Sequence, residues 1–288
     1  MSDGDGLRVR LFVWLQYLLP QHALSRLVQA ATRVRAVWFK NLLTRGFLRL
    51  FAVDMSEAAE SDPCGYGSFN EFFTRALRAG ARPVDPGPDG IASPVDGTVS
   101  ECGAIDRDRL LQAKGRWYTL DELLARQPWA ASFNGGVFAT IYLAPFNYHR
   151  IHMAVRGTLR DTVYVPGRLF SVNSATARHV PRLFARNERV LTLFDTEFGQ
   201  LALVMVGALN VGSMTTVWAG DITPAARRIV TRIPSPALTL DKGSELGRFN
   251  MGSTVILLFE PNRVQWHPLL RAGSVVRYGQ LIGSTVSV

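Results

Sequence analysis

From about residue 90 to its end the chain is cut into short runs rich in Val, Ile, Leu, Phe and Thr, each bounded by turn residues. The clearest are Val137–Leu143, Val190–Phe194, Leu201–Val206, Val255–Phe259 and Leu281–Val286. Runs this short, in these residue types, read as strands rather than helices. Three tight turns punctuate them: Ser93-Pro94-Val95-Asp96-Gly97, Lys242-Gly243-Ser244-Glu245-Leu246-Gly247 and Tyr278-Gly279-Gln280-Leu281-Ile282-Gly283. Such turns are common in sandwich-like β barrels that carry biotin or lipoate. No tandem repeat of fixed period is evident. The expectation is an α+β chain with a β-rich barrel or sandwich-like core, peripheral helices and an N-terminal amphipathic helical segment.

That segment covers residues 1–52, and a catalytic domain is expected over 53–288. Leu24, Leu27, Val28, Ala31, Val34, Trp38 and Leu42 recur at helical spacing, while Arg26, Arg33 and Lys40 fall largely on other faces. Two readings stay open from shape alone: a helix packed on the protein's own core, or one lying on a lipid surface. Charge favours the second. The net charge is +9, and residues 1–50 hold eight Lys/Arg against Asp3 and Asp5, a local excess of +6. A basic excess on an apolar segment, with Trp38 and Phe39 to settle at the headgroups, points to an anionic membrane. A nucleic-acid protein would spread its basic residues over a groove-facing surface, so that class is set aside. The run Leu11–Leu19, interrupted by Gln16 and ended by Pro20, is short of the roughly 20 residues needed to span a bilayer. Arg8 and Arg10 could open a signal peptide, but no small-residue cleavage site follows. The expected location is peripheral, on the cytoplasmic face of the membrane.

Residues 54–67 read as an acidic loop. Short helices are expected at Ser68 and Thr119, each with a Glu at capping-box spacing, Glu71 and Glu122. With Cys64 and Cys102 as the only cysteines, there is no disulfide framework.

Three segments can carry chemistry. Asp96 in Ser93-Pro94-Val95-Asp96-Gly97 is a turn residue by default, and otherwise a carboxylate that orients a histidine. His149 and His152 lie in Tyr148-His149-Arg150-Ile151-His152. Extended, they face opposite sides; in a helical turn, they share one. The pair lacks the Glu of a zinc-protease helix and a nearby third ligand, so no metal is expected. General acid–base work suits it better, with a structural pair as the alternative. In Phe249-Asn250-Met251-Gly252-Ser253-Thr254 a tight turn enters an apolar strand. It could be only a turn. It could also be reactive: Gly252 leaves its carbonyl open to the Ser253 hydroxyl. Attack would turn the peptide into an ester, β-elimination would release the upstream chain, and hydrolysis would leave a pyruvoyl group. That needs a base, a group to orient it, and strain or donors at the carbonyl.

In order, these segments resemble bacterial phosphatidylserine decarboxylases of the pyruvoyl-dependent type. The resemblance runs from about residue 68 to 288. It includes Phe69-Asn70-Glu71-Phe72-Phe73, Leu169-Phe170-Ser171-Val172-Asn173, Leu183-Phe184-Ala185-Arg186-Asn187-Glu188-Arg189-Val190 and Lys242-Gly243-Ser244-Glu245-Leu246-Gly247-Arg248-Phe249. It implies cleavage between Gly252 and Ser253 into chains 1–252 and 253–288 that stay tightly associated, and a pyruvoyl cofactor made from Ser253. It implies a Schiff base with phosphatidylserine, loss of CO2 and phosphatidylethanolamine as product. By position, His152 would be the base for self-cleavage, Asp96 its orienter, and His149 the residue that assists decarboxylation and protonation. Met251 stands where the family usually has Leu, a swap of similar volume. Arg150 and Arg168 are candidates for the head-group phosphate. A homo-oligomer is the base expectation. Three rivals remain: a serine hydrolase using Asp96, His152 and Ser253, which lacks the Gly-x-Ser-x-Gly elbow, a carrier module modified on Lys242, and a pyruvoyl decarboxylase of soluble amino acids, against which the basic amphipathic N-terminus argues.

Overall fold

The computed structural model describes residues 3–113, 115–209, 213–222, 230–252 and 254–286. At its centre lies the strand Thr254–Phe259, all six residues buried. It pairs antiparallel with Val137–Tyr142 on one side and Gly199–Val206 on the other, Thr254 standing opposite both Tyr142 and Val206. Ile256 and Leu258 pack into one core, Val255, Leu257 and Phe259 into a second. Alternate residues thus serve opposite faces, and both faces are covered. That is why this stretch reads as an unbroken apolar run instead of a polar–apolar alternation.

The sheet continues outward in the order Thr231–Arg232, Gly157–Val165, Arg189–Thr196, Gly199–Val206, Thr254–Phe259, Val137–Tyr142, Gly97–Ala104 and Val275–Val276, with Thr239–Leu240 also on Gly157–Val165. Its two ends are different strands, so the core is sandwich-like and open; the barrel alternative is not realised. One face is covered by short helices, Leu120–Leu123, Ser174–His179 and Leu183–Arg186 among them. Thr119 and Glu122 form the full capping box expected there. The other face packs on a four-stranded sheet (Gly220–Ile222, Met214–Thr216, Glu245–Phe249, Arg150–His152) and a three-stranded one (Gly90–Ala92, Leu281–Thr285, Val264–Trp266).

The N-terminal segment forms three helices, Asp3–Leu18, Gln21–Thr32 and Val37–Leu50. Their burial is reversed from that of a core helix. Gln21, Ser25, Thr32, Lys40 and Thr44 are buried, whereas Leu27, Trp38, Leu42 and Leu50 are more than 60% exposed. The polar face makes the attachments. Gln16 Oε1 accepts from the Ser171 N–H and Gln21 Oε1 from the Leu169 N–H, at 2.8 and 2.9 Å. Lys40 Nζ donates to the Cys64 carbonyl at 2.7 Å. Part of the basic excess is therefore used internally: Arg33 pairs with Asp221 and Arg35 with Glu71. Apolar docking is concentrated on the third helix, where Leu43, Phe47 and Leu48 meet Phe69, Phe72 and Phe73, while the first helix sends Val13 into the main core and sets Tyr17 against Phe170.

Where the second helix meets the body, Glu188 is almost fully buried beside the Tyr164 hydroxyl, with His22 Nδ1 4.0 Å from its Oε2. Burial pushes its carboxyl up from 4.5 to about 7. A raised carboxyl favours the folded state below the unfolded pKa, and that contribution is lost as pH rises through about 7. Glu188→Gln should therefore match the parent near pH 4.5 and exceed it by up to ~3 kcal/mol at pH 8, read by urea unfolding at the two pH values. Equal stability at both would contradict the buried, raised carboxyl.

Candidate active site at the Gly252 junction

The chain crosses from one sheet to the next between Phe249 and Thr254. Phe249 ends a strand of the four-stranded sheet, and its N–H donates to the His149 carbonyl at 3.1 Å. Asn250 is pinned: its N–H donates to the Ser213 carbonyl, its Nδ2 to Ser213 Oγ (2.7 Å) and Thr215 Oγ1 (2.8 Å), and its Oδ1 accepts from Asn70 Nδ2 (3.1 Å). Beyond the junction Thr254 is locked into the central strand. The turn between these anchors falls on Met251, whose φ is +104°. A side chain with a Cβ holds that conformation at a cost of about 1–3 kcal/mol. Backbone strain thus sits immediately before Gly252. Ser253 itself lies outside the described residues.

His149 is fully buried, and its ring stacks on Phe73 at 4.1 Å between centroids. Its Nδ1 lies 2.8 Å from the Asn147 carbonyl, which places the proton there and leaves a lone pair on Nε2. That Nε2 has no hydrogen-bond partner among the described residues. It faces Gly252: a Cβ built on that glycine would lie 3.6 Å from it. Burial, reinforced by the charge of Arg75, pushes the imidazole down to about 3, so it is neutral.

His152 occupies different surroundings, because Arg150–His152 is a strand and the extended alternative holds. Its Nδ1 donates to the Gly243 carbonyl at 2.8 Å, so Nε2 accepts from the Tyr148 hydroxyl at 2.9 Å. The Tyr278 ring stacks on it at 3.8 Å, and the Tyr278 hydroxyl donates to the same Gly243 carbonyl. Burial lowers its pKa.

Asp96 makes no hydrogen bond to His152. Its Oδ1 accepts from Arg82 Nη1 and from the Tyr278 N–H, both at 2.8 Å. It acts on His152 indirectly, holding the backbone of the residue whose ring covers the imidazole. The two arginines considered for a phosphate separate. Arg150 is taken by Glu245 and the Thr74 carbonyl, and Arg168 is exposed. Lys242 is ion-paired with Asp85 and bound to the Gly87 carbonyl, unlike the free turn lysine of a carrier. Among the described residues no three His, Cys, Asp or Glu side chains are grouped to hold a metal ion.

A cavity of about 300 Å³ opens beside the junction, lined by Phe47, Phe73, Tyr142, Ser171, Met251 and Gly252 among others. Phe47 brings the third N-terminal helix to its wall. Reading the sequence missed Tyr148, Tyr278, Arg82 and the anchors of Asn250. Tyr278 and the anchors of Asn250 are recruited by contact between distant segments, which leaves no local signal, whereas Tyr148 lies only four residues before the His152 it bonds.

Residues 69–284 match the family described as phosphatidylserine decarboxylase, and residues 11–52 match a second family, PSD. The chain belongs to the phosphatidylserine decarboxylase family. It is 55% identical to the phosphatidylserine decarboxylase proenzyme of Pseudomonas fluorescens, covering 96% of this chain and 98% of that protein. It is 53% identical to the proenzyme of Pseudomonas putida, covering 97% and 99%. The family match spans both histidines, Asp96 and the Gly252 junction.

If the strain at Met251 assists the reaction of this junction, Met251→Gly should slow conversion of the precursor several-fold while leaving the fold intact. Densitometry of precursor against fragment over time reads this. Unchanged or faster conversion would remove strain from the account.

Proposed function

We propose that the chain is a phosphatidylserine decarboxylase proenzyme. It cuts itself between Gly252 and Ser253, and the resulting two-chain enzyme converts phosphatidylserine to phosphatidylethanolamine and CO2. The observation that carries this is the neutral, unpartnered Nε2 of buried His149, set against Gly252 at a strained turn. An orphaned buried nitrogen is rare unless it has a ligand or a reaction to serve. The residues present fit a pyruvoyl group on Ser253: a lone pair faces the junction, and the adjoining cavity is mostly apolar in its lining. When present, that group supplies the electron sink for decarboxylation.

His149, neutral and dry, offers its Nε2 lone pair to an N–H of the substrate amine and assists decarboxylation and protonation of the reacting carbon. His152, with Nε2 fixed as an acceptor, is the base for self-cleavage, with the Tyr148 hydroxyl on its Nε2. Asp96, anchored by Arg82, holds Tyr278 over it. The segment after the cut retains its place through the central strand. Burying its five large apolar side chains contributes on the order of 10 kcal/mol, so chains 1–252 and 253–288 stay together.

The three N-terminal helices dock on the cytoplasmic face of the membrane. Their outward faces carry Trp14, Leu18, Leu27, Trp38, Leu42 and Leu50, residues that bury favourably at the acyl–headgroup boundary. Among the described residues no helix is long and apolar enough to cross a bilayer. The cavity, walled by Phe47 and Phe51 of this segment, admits the head group from that side.

Turnover is tested with vesicles of phosphatidylserine, by CO2 release and lipid chromatography. His152→Ala should stay uncut and inactive. His149→Ala should be cut and inactive. The reverse pattern would exchange the two roles, and normal turnover in both would sink the site. A Trp38→Glu/Leu42→Glu double variant should be cut normally and bind anionic vesicles at least about tenfold more weakly; undiminished sedimentation with vesicles would contradict the docking face.

A further inference from the structure

Arg75 follows the short helix Phe69–Phe73 and is only 5% exposed. Its surroundings do not balance its charge. The guanidinium sits 5.8 Å from the centre of the Phe72 ring, and Nη2 makes one long bond, 3.4 Å, to the Phe146 carbonyl. Its Nε has no partner among the described residues. The two carboxylates whose charge reaches it are held elsewhere: Asp96 by Arg82 and the Tyr278 N–H, Asp54 by the Ser56 N–H. Arg189, also buried, shows what a structural arginine does here. Its guanidinium donates to the carbonyls of Glu122, Leu123, Ala185 and Asn187. A buried cation with neither an anion nor a set of carbonyls is strongly unfavourable, and its persistence implies an anion that arrives.

Position says which anion. Phe73, two residues before Arg75, stacks on His149 and lines the cavity at Gly252. Pro145, next to the Phe146 whose carbonyl Arg75 touches, lines the same cavity. Arg75 thus stands just behind this lining, close enough for its charge to be felt at His149. We propose that Arg75 binds the phosphodiester of the lipid head group and so positions the amine at residue 253; this rests on the function proposed above. The substrate's carboxylate is the poorer ligand. It loses its charge as CO2 departs, so a cation on it would stabilise the reactant more than the transition state. The phosphodiester keeps its charge throughout, and the forked guanidinium matches its oxygens.

The test compares Arg75→Met and Arg75→Lys with the parent enzyme. Self-cleavage, which needs no lipid, reports folding. Arg75→Met should be cut, with KM for phosphatidylserine raised about tenfold to a hundredfold, the worth of a charge-assisted hydrogen bond, and kcat within about threefold. Calorimetric binding of glycerophosphoethanolamine, a soluble phosphodiester, should be lost with Met and partly kept with Lys. A cut Arg75→Met enzyme with unchanged KM and binding overturns the proposal. If both variants stay uncut, the parent enzyme decides: glycerophosphoethanolamine must compete with the lipid and its methyl phosphotriester, which has no charge at phosphorus, must not; equal competition overturns it. A parent chain that binds the phosphodiester but releases no CO2 would sink the decarboxylase reading and leave the anion site standing.

Discussion

The pairing of Thr254–Phe259 between Val137–Tyr142 and Gly199–Val206 is the constraint on which the rest depends. It fixes the chain immediately after residue 253 at a fully buried position of the largest sheet. On the other side of the junction, Asn250 is held by Ser213, Thr215 and Asn70. With both ends anchored, the mismatch in chain direction is absorbed at Met251, in a conformation that an L residue rarely adopts. The segment beyond residue 253 is also woven elsewhere: Val275–Val276 pairs with Gly97 and Thr98, and Leu281–Thr285 lies between Gly90–Ala92 and Val264–Trp266. A break in the backbone at Gly252 would leave every one of these pairings in place.

Around that junction the chemistry is set by exclusion of water. Burial keeps both imidazoles neutral, and carbonyl acceptors at Asn147 and Gly243 fix which nitrogen holds the proton. The same dryness makes the free Nε2 of His149 and the uncompensated guanidinium of Arg75 informative, because each would otherwise be solvated or paired. The N-terminal helices follow the opposite logic. They attach to the body largely through polar groups such as Gln16, Gln21 and Lys40, leaving apolar side chains outward, where only a non-aqueous neighbour stabilises them.

The inner strands were legible because two-sided burial writes itself as a continuous apolar run, and each of the five runs read from the sequence falls on a strand, Leu143 and Val286 lying one residue beyond theirs. The helical character of the N-terminal segment was legible too, but its division at Pro20 and at residues 33–36 was only partly so. Which face would be buried was not. Periodicity shows that Leu27 and Trp38 segregate from Ser25 and Lys40; it carries no information on which group meets the protein. Motifs located Asp96, His149, His152 and Gly252 but not their partnerships. Asp96 was expected against His152 and instead holds Arg82 and the Tyr278 backbone, 182 positions away. Arg75 was invisible, since its meaning lies in the absence of a partner.

Self-cleavage at Gly252 is most directly tested by the intact mass of the purified chain under denaturing conditions. Two species are expected, residues 1–252 and a fragment beginning at residue 253 whose N-terminus is a pyruvoyl group in place of an amine. A single chain of 288 residues after prolonged incubation would contradict it.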